Sequence, residues 1–470
     1  MRYISTRGQA AVLDFKDATL AGLAPDGGLY VPEAWPVLGA AEIEKLSGLS
    51  FAETAARILA PFVAGSLTPV ELNDLCERAW GRFSHPAVTP IVQLDPRHYL
   101  LELFHGPTLA FKDVALQFLG LLFERFLASG DRHLTIVGAT SGDTGSAAIE
   151  ALADRSHVDI FMLHPRGRVS EVQRRQMTTV SAPNVHNIAI DGDFDTAQAL
   201  VKAMFNDASF SARFNLAAVN SINWARLAAQ VVYYFYAAVR LGAPHREVAF
   251  SVPTGNFGDV YAGYVAKKMG LPIARLIVAT NVNDILHRAL AKGDYSAWAV
   301  TPTTAPSMDI QVSSNFERLL FDLHGRDSML LRRDMLTFEA DRRLSLPEGM
   351  RELAAADFAS ARIDQASMGD AMRWAHGCGQ IIDPHTAVGL AAARASDLPR
   401  TIPIVSLATA HPAKFGDAVA TALGVEAELP TRIAGLKDKE ERCVTLPATF
   451  DALSAHIGAY ARRRQAVPAL

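Results

Sequence analysis

Hydrophobic positions in this chain fall into two alternating patterns. Short β-branched runs end at glycine turns, and each turn opens a longer segment with apolar residues three or four apart. The clearest case is LTIVGATSGDTGSAAIEAL at 134–152: a strand, a loop carrying Gly138, Gly142 and Gly145, then a helix. The order recurs at 159–165 with a helix after Ser170, at 185–190 with a helix over 194–205, and at 247–269. Further strands are expected at 99–104, at 274–281 and from 402, the last entering a polar loop and a helix. Helices are expected at 111–130, 227–239, 284–290 and from about 313. Such recurrence predicts an α/β fold of mostly parallel sheets covered by helices.

The pattern also divides the chain. Residues 1–95 hold short alternating pieces and two helical segments, roughly 40–60 and 68–80, and read as an N-terminal, mainly helical unit. Residues 96–240 and 241–470 read as two open α/β regions. The Thr-, Pro- and Ser-rich stretch at 297–313 reads as a long loop, and the charged segment 326–370 as a peripheral, surface-lying insertion.

Composition narrows the classes. At 470 residues, 50% hydrophobic and 20% charged, the chain can build two or three domains with substantial cores. A formal charge of −4 gives no electrostatic case for nucleic acid or an acidic membrane. The apolar run at 227–239 is too short to span a bilayer and reads as a buried helix. The opening MRYISTRGQAA has no apolar signal region, and Cys76, Cys378 and Cys443 make neither a zinc spacing nor a disulfide framework. A cytoplasmic, reducing location is therefore expected, with no metal.

Candidate chemistry sits in the turns. In HGPTLAFKD (105–113), Gly106-Pro107 makes a turn and Lys112 falls near a helix start, where a cation is disfavoured and loss of charge, as in an imine to an aldehyde, is favoured. A lysine at such a place is ordinarily a solvated surface residue. TGNFGD (254–259) is a strand-to-helix loop suited to a phosphate, and it has neither the Walker A nor the dinucleotide spacing. In ATSGDTGSAA (139–148), hydroxyls and amides can hold a carboxylate or phosphate, while Asp143 caps the helix, orients the loop or acts on a protonated group of cofactor or substrate. SLATAHPAKF (406–415) places Thr409 and Lys414 beyond the carboxyl end of a strand, where open α/β sheets bind ligands. His376, Cys378, Asp383 and His385 cluster without a zinc spacing and read as a turn with a satisfied histidine.

Taken in order, HGPTLAFKD, GATSGDTGSAA, NSINWARLAAQ, VPTGNFGD, DPHTAVG and LATAHPAKF resemble the threonine synthase family of pyridoxal-phosphate-dependent fold type II enzymes. TRG and LAPDGGLYVP near the start extend the likeness over nearly the whole chain. The resemblance implies two α/β domains with pyridoxal 5'-phosphate between them. It also implies conversion of O-phospho-L-homoserine and water to L-threonine and phosphate through aldimine and carbanion intermediates. Lys112 is similar to the Schiff-base lysine and proton shuttle, Gly255, Asn256, Phe257 and Gly258 to the cofactor-phosphate loop, and Thr409 to the partner of the ring nitrogen. Ser141, Gly142, Asp143 and Thr144 resemble the loop that grips the amino-acid end of the substrate. Lys414, Asn315, Arg318, Arg166 and Arg168 are the candidates for its phosphate. A serine or threonine dehydratase on the same fold, or a catalytically silent relative, is the competing reading. Monomer and homodimer both remain open.

Overall fold

A computed structural model describes residues 1–128 and 132–462. The end of the helix expected at 111–130 and the last residues of the 241–470 region, 463–470, lie outside the described residues. The chain folds into two compact units, each discontinuous in sequence. The first comprises Met1–Ala18, Leu23–Ala115 and Ser221–Glu428; the second Thr19–Gly22, Leu116–Asn220 and Leu429–Leu470.

The first unit is built on a six-stranded sheet in the order Phe358–Arg362, Ile273–Thr280, Val248–Pro253, Ile404–Ala408, His98–Glu102, Ile91–Gln93. All neighbours run parallel except the last pair, which is antiparallel. The strands Val248–Pro253 and Ile404–Ala408 are buried at every position, which is why they read as continuous apolar runs rather than alternating ones. The helix Pro384–Arg394 lies over this sheet. A Cβ at Gly389 would stand 3.0 Å from Pro253, so glycine permits the close approach, and Ser251 Oγ donates to Gly389 O at 2.6 Å.

Helix Trp224–Arg240 packs beside helix Gly258–Lys268 and is buried from Trp224 to Val239. Its start is fixed by the Asn223 side chain, which accepts from Ala225 N at 3.0 Å. This is the apolar run at 227–239, and no helix among the described residues is long and apolar enough to cross a membrane.

The second unit carries a five-stranded parallel sheet, ordered Val444–Leu446, Val185–Ile190, Val158–Pro165, Leu134–Ala139, Leu216–Ala217. Its core joins Val137, Phe161 and Ile188 to Leu453 and Ile457 of the C-terminal helix Phe450–Tyr460.

Three expectations are revised. The boundaries at 95/96 and 240/241 do not coincide with the edges of the compact units, because a sheet collects strands by packing and not by chain order. The 326–370 segment is not wholly peripheral: after the helices Ser328–Asp341 and Glu348–Asp357, Phe358–Arg362 pairs with Ile273–Thr280 as the edge strand of the six-stranded sheet. The helix expected over 40–60 is two helices, Ala40–Glu44 and Phe51–Val63. Gly48 takes a left-handed φ of 78° between them, and Ser50 and Glu53 then form a capping box that starts the second.

Candidate active site

Three adjacent strands of the six-stranded sheet, Val248–Pro253, Ile404–Ala408 and His98–Glu102, deliver their carboxyl-end loops side by side. Those loops carry 254–258, Thr409 and Lys112. The sheet therefore assembles what the sequence had spread over some 300 positions (105 to 409).

The lysine turn is closed on itself. Asp113 accepts from Thr108 N at 2.8 Å and from Thr108 Oγ1 at 2.7 Å, and a Cβ on Gly106 would stand 2.3 Å from that of Asp113. Only glycine fits there. Helix Lys112–Leu127 starts at the lysine itself, which is buried at 8% exposure, unlike the solvated lysine ordinarily found at a helix start. The turn is also laced to the last strand's loop. Phe111 N donates to Thr409 O at 2.8 Å, His411 N to Leu109 O at 3.0 Å, and Lys414 Nζ to Thr108 O at 2.7 Å.

The 254–258 loop opens helix Gly258–Lys268, whose first intrahelical bond runs from Tyr261 N to Phe257 O at 3.0 Å. The preceding amides have no intrahelical acceptor and form an anion-binding end. Phe257 holds a left-handed φ of 62°, secured by its buried ring against Phe316 at 5.3 Å. The loop carbonyls are tied back: Ser313 Oγ donates to Gly255 O at 2.8 Å, and Asn315 donates to Asn256 O through N at 3.1 Å and Nδ2 at 3.0 Å. A Cβ at Gly255 would reach 2.9 Å from Ser307 O. The cradle is thus bare backbone, shaped for a single phosphate, and these residues fit pyridoxal phosphate.

Sequence reasoning passed over Asp259, the acid that follows this loop. Its Oδ1 accepts from the hydroxyls of Tyr233 and, at 2.9 Å, Tyr234, while its buried Oδ2 has no partner among the described residues. Burial pushes the carboxyl up to about 6, against the pull of both tyrosines and the Lys112 charge. An acid directly after the glycine turn at a helix start was the available signal.

Asn315 and Arg318 occupy a different place from the one expected. Arg318 is fully buried, donating to Tyr30 O at 3.0 Å, to Ile222 O at 2.6 Å and to Asn315 Oδ1. It fixes the Asn315 amide, which braces the 254–258 loop through Asn256 O.

In the second unit, Thr140 Oγ1 accepts from Gly142 N at 2.9 Å and Gly145 N at 2.8 Å, folding the 141–144 loop. Gly142 is the cap, at φ 142°, and Asp143 lies one residue inside the helix Asp143–Leu152. Its carboxylate accepts from Gln173 Nε2 at 2.8 Å. Ser141 is exposed and Thr144 partly so. Arg166 and Arg168 follow the neighbouring parallel strand Val158–Pro165 at the same edge, with Arg166 exposed and paired to Asp191 at 2.5 Å. Among the described residues no cluster of His, Cys, Asp and Glu could hold a metal. Asp383 and His385 pair with each other, His385 Nδ1 lying 2.8 Å from Asp383 Oδ1.

Family models match most of the chain. Residues 2–80 match "Threonine synthase N terminus", 83–362 match "Pyridoxal-phosphate dependent enzyme" and 386–457 match "Threonine synthase, C-terminal". The fold and site are those of a pyridoxal-phosphate-dependent enzyme. A threonine synthase of Pseudomonas aeruginosa is 51% identical over 465 residues, covering 98% of this chain and 99% of that protein. The crystal structure of a PLP-bound threonine synthase from Brucella melitensis superposes with a TM-score of 0.96 at 49% identity, covering 98% of this chain and all of that one. The Escherichia coli threonine synthase structure gives 0.83 at 34% identity, over 98% of this chain and 100% of that one. The chain belongs to the threonine synthase family, and its reaction is that family's PLP-dependent conversion of O-phospho-L-homoserine to threonine.

Proposed function

We propose that Lys112 carries the cofactor and moves protons in this reaction, with the 254–258 loop holding the cofactor phosphate and Thr409 its ring nitrogen. The observation that carries this is the alignment of the three loops on adjacent parallel strands. Pyridoxal phosphate, when bound, supplies the electron sink for charge developed at the substrate's α carbon. Freed as an amine in its buried turn, Lys112 Nζ takes up the α proton and returns protons to the carbon chain as water adds. The bare backbone of 255–258 binds a phosphate through amides at a helix start, and Thr409 offers a neutral hydroxyl partner.

Ser141, Gly142 and Thr144 bind the substrate's carboxylate through hydroxyls and amides held in place by Thr140 and Asp143. Arg166 and Arg168 are the cations assigned to the substrate's phosphate, being exposed at the edge that bears the 141–144 loop. Lys414 supports the lysine turn through Thr108 O. The protein works in the cytoplasm; its cysteines are free, and burial pushes the Cys76 thiol up, out of reactive range.

The test is product analysis with pyridoxal phosphate and O-phospho-L-homoserine, following threonine and phosphate together. Equal release is expected from the wild-type chain, and Lys112→Ala should lose at least about 10²-fold in turnover. Phosphate released with a keto acid in place of threonine would make the chain a dehydratase-like lyase. Full turnover by Lys112→Ala would remove that lysine from the chemistry.

A further inference from the structure

One buried carboxylate outside the assigned site touches the supports of both its ends. Asp383 is fully buried at the start of helix Pro384–Arg394, and its two oxygens face different partners. Oδ1 accepts from His385 N at 2.9 Å and lies 2.8 Å from His385 Nδ1. Oδ2 accepts from Thr386 N at 3.3 Å and from the Thr386 hydroxyl.

The Oδ2 arm leads to the ring end. Because the Thr386 hydroxyl spends its proton on Asp383, its oxygen is left as an acceptor, and it accepts from Thr409 N at 3.2 Å. Thr409 is thereby held at the backbone atom next to its own side chain. The Oδ1 arm leads to the phosphate end. A carboxylate beside Nδ1 places the ring proton there, which leaves Nε2 as an acceptor, and Nε2 accepts from Ser307 N at 3.2 Å. Ser307 O is the atom that a Cβ on Gly255 would approach to 2.9 Å, so the Ser307 turn forms the back wall of the phosphate loop.

Both arms work by fixing proton direction. A hydroxyl or imidazole can turn either way in isolation. An acceptor-only carboxylate with no exposure to water leaves each of them one arrangement. His385 and Thr386 are themselves buried, at 4% and 0% exposure, so water does not compete for these bonds.

We propose that Asp383 is a positioning residue that sets the cofactor site from both ends, holding Thr409 through Thr386 and the Gly255 loop through His385 and Ser307. This rests on the assignment of Thr409 and the 254–258 loop to the cofactor. It makes DPHTAVG part of the active-site framework, although none of its side chains is assigned to the cofactor or the substrate.

The two arms can be cut separately. Thr386→Val keeps the volume and removes the hydroxyl; His385→Leu removes the Nε2 acceptor; Asp383→Ala cuts both. Each variant is loaded with pyridoxal phosphate, and two signals are read: the absorption maximum of the bound cofactor for the ring end, and its ³¹P resonance for the phosphate end. Cofactor dissociation constants and melting of the cofactor-free proteins are measured alongside.

Thr386→Val should shift the absorption maximum and leave the ³¹P line in place, with Thr386→Ser restoring the wild-type spectrum. His385→Leu should do the reverse. Asp383→Ala should move both signals and raise the cofactor dissociation constant on the order of tenfold. If Asp383→Ala does not fold, the two single-arm variants carry the test. Both signals moving together in each single-arm variant, in proportion to lost thermal stability, would mean a merely structural role and overturn the proposal. So would variants that bind cofactor with unchanged signals. A wild-type chain that fails to bind pyridoxal phosphate would instead remove the site assignment beneath it.

Discussion

Three side chains change meaning once their surroundings are known. Lys112 is legible from its motif, yet only the structure shows that it is buried and that its turn is closed by Asp113. Lys414, expected at the substrate's phosphate, donates to the carbonyl of Thr108 in that turn. Lys414→Ala is therefore expected to weaken cofactor binding as well as turnover, which equilibrium titration of the cofactor would reveal; a loss confined to turnover would return Lys414 to the substrate. Asp259 carries a pH dependence. Folding raises its carboxyl from 3.8 to about 6, so the native state keeps a proton that the unfolded chain releases earlier. Its stabilising contribution is complete below about pH 4 and is lost as pH rises through about 6. Asp259→Asn should be more stable than wild type at pH 8, by up to about 3 kcal/mol, and should show no such gain at pH 4. Urea unfolding of the cofactor-free protein at the two pH values measures this.

Loops between elements explain most of the site. The strand-loop-helix unit at 248–268 was readable from its β-branched run and glycines, because local propensity and burial agree there. What holds the loop was not readable: Ser307 and Ser313 arrive from the stretch that read as a long loop, and Asn315 from the start of the helix expected after it. Gly255→Ala tests that contact. Its Cβ would press on a backbone oxygen 2.9 Å away, so the 305–311 segment must move. Cofactor affinity should fall about tenfold or more, a shift of about 1.4 kcal/mol, while helical content stays constant by circular dichroism. At the other end of the chain, Arg7 meets Glu317 at 3.0 Å and Glu339 at 2.9 Å, with Thr6 Oγ1 also donating to Glu317 at 2.7 Å. Arg7 and Glu317 are nearly buried, at 11% and 6% side-chain exposure, so removing one leaves the other charge uncompensated. Arg7→Ala should cost about 3 kcal/mol, read from denaturant unfolding.

On the scale of the whole molecule, the second unit depends on residues far along the chain. Val444–Leu446 extends its sheet beside Val185–Ile190, and Leu453 and Ile457 complete its core. A chain ending at 428 should lose amide protection first in 185–190 and then across 134–165, with the six-stranded sheet of the first unit retaining its own; hydrogen exchange would show the difference. The sequence by itself determined the α/β class, the strand-loop-helix units and the loops that carry Lys112, residues 254–258 and Thr409, because those depend on local periodicity and on motifs contiguous in the chain. Tertiary structure alone decided that Asn315 and Arg318 brace the 254–258 loop, that Phe358–Arg362 joins the main sheet, and that Asp383 connects to Thr409 N through Thr386 and to Ser307 N through His385. Hydrogen-bond partners and sheet neighbours are chosen by packing between segments from 23 to 288 residues apart, and no local pattern records that choice.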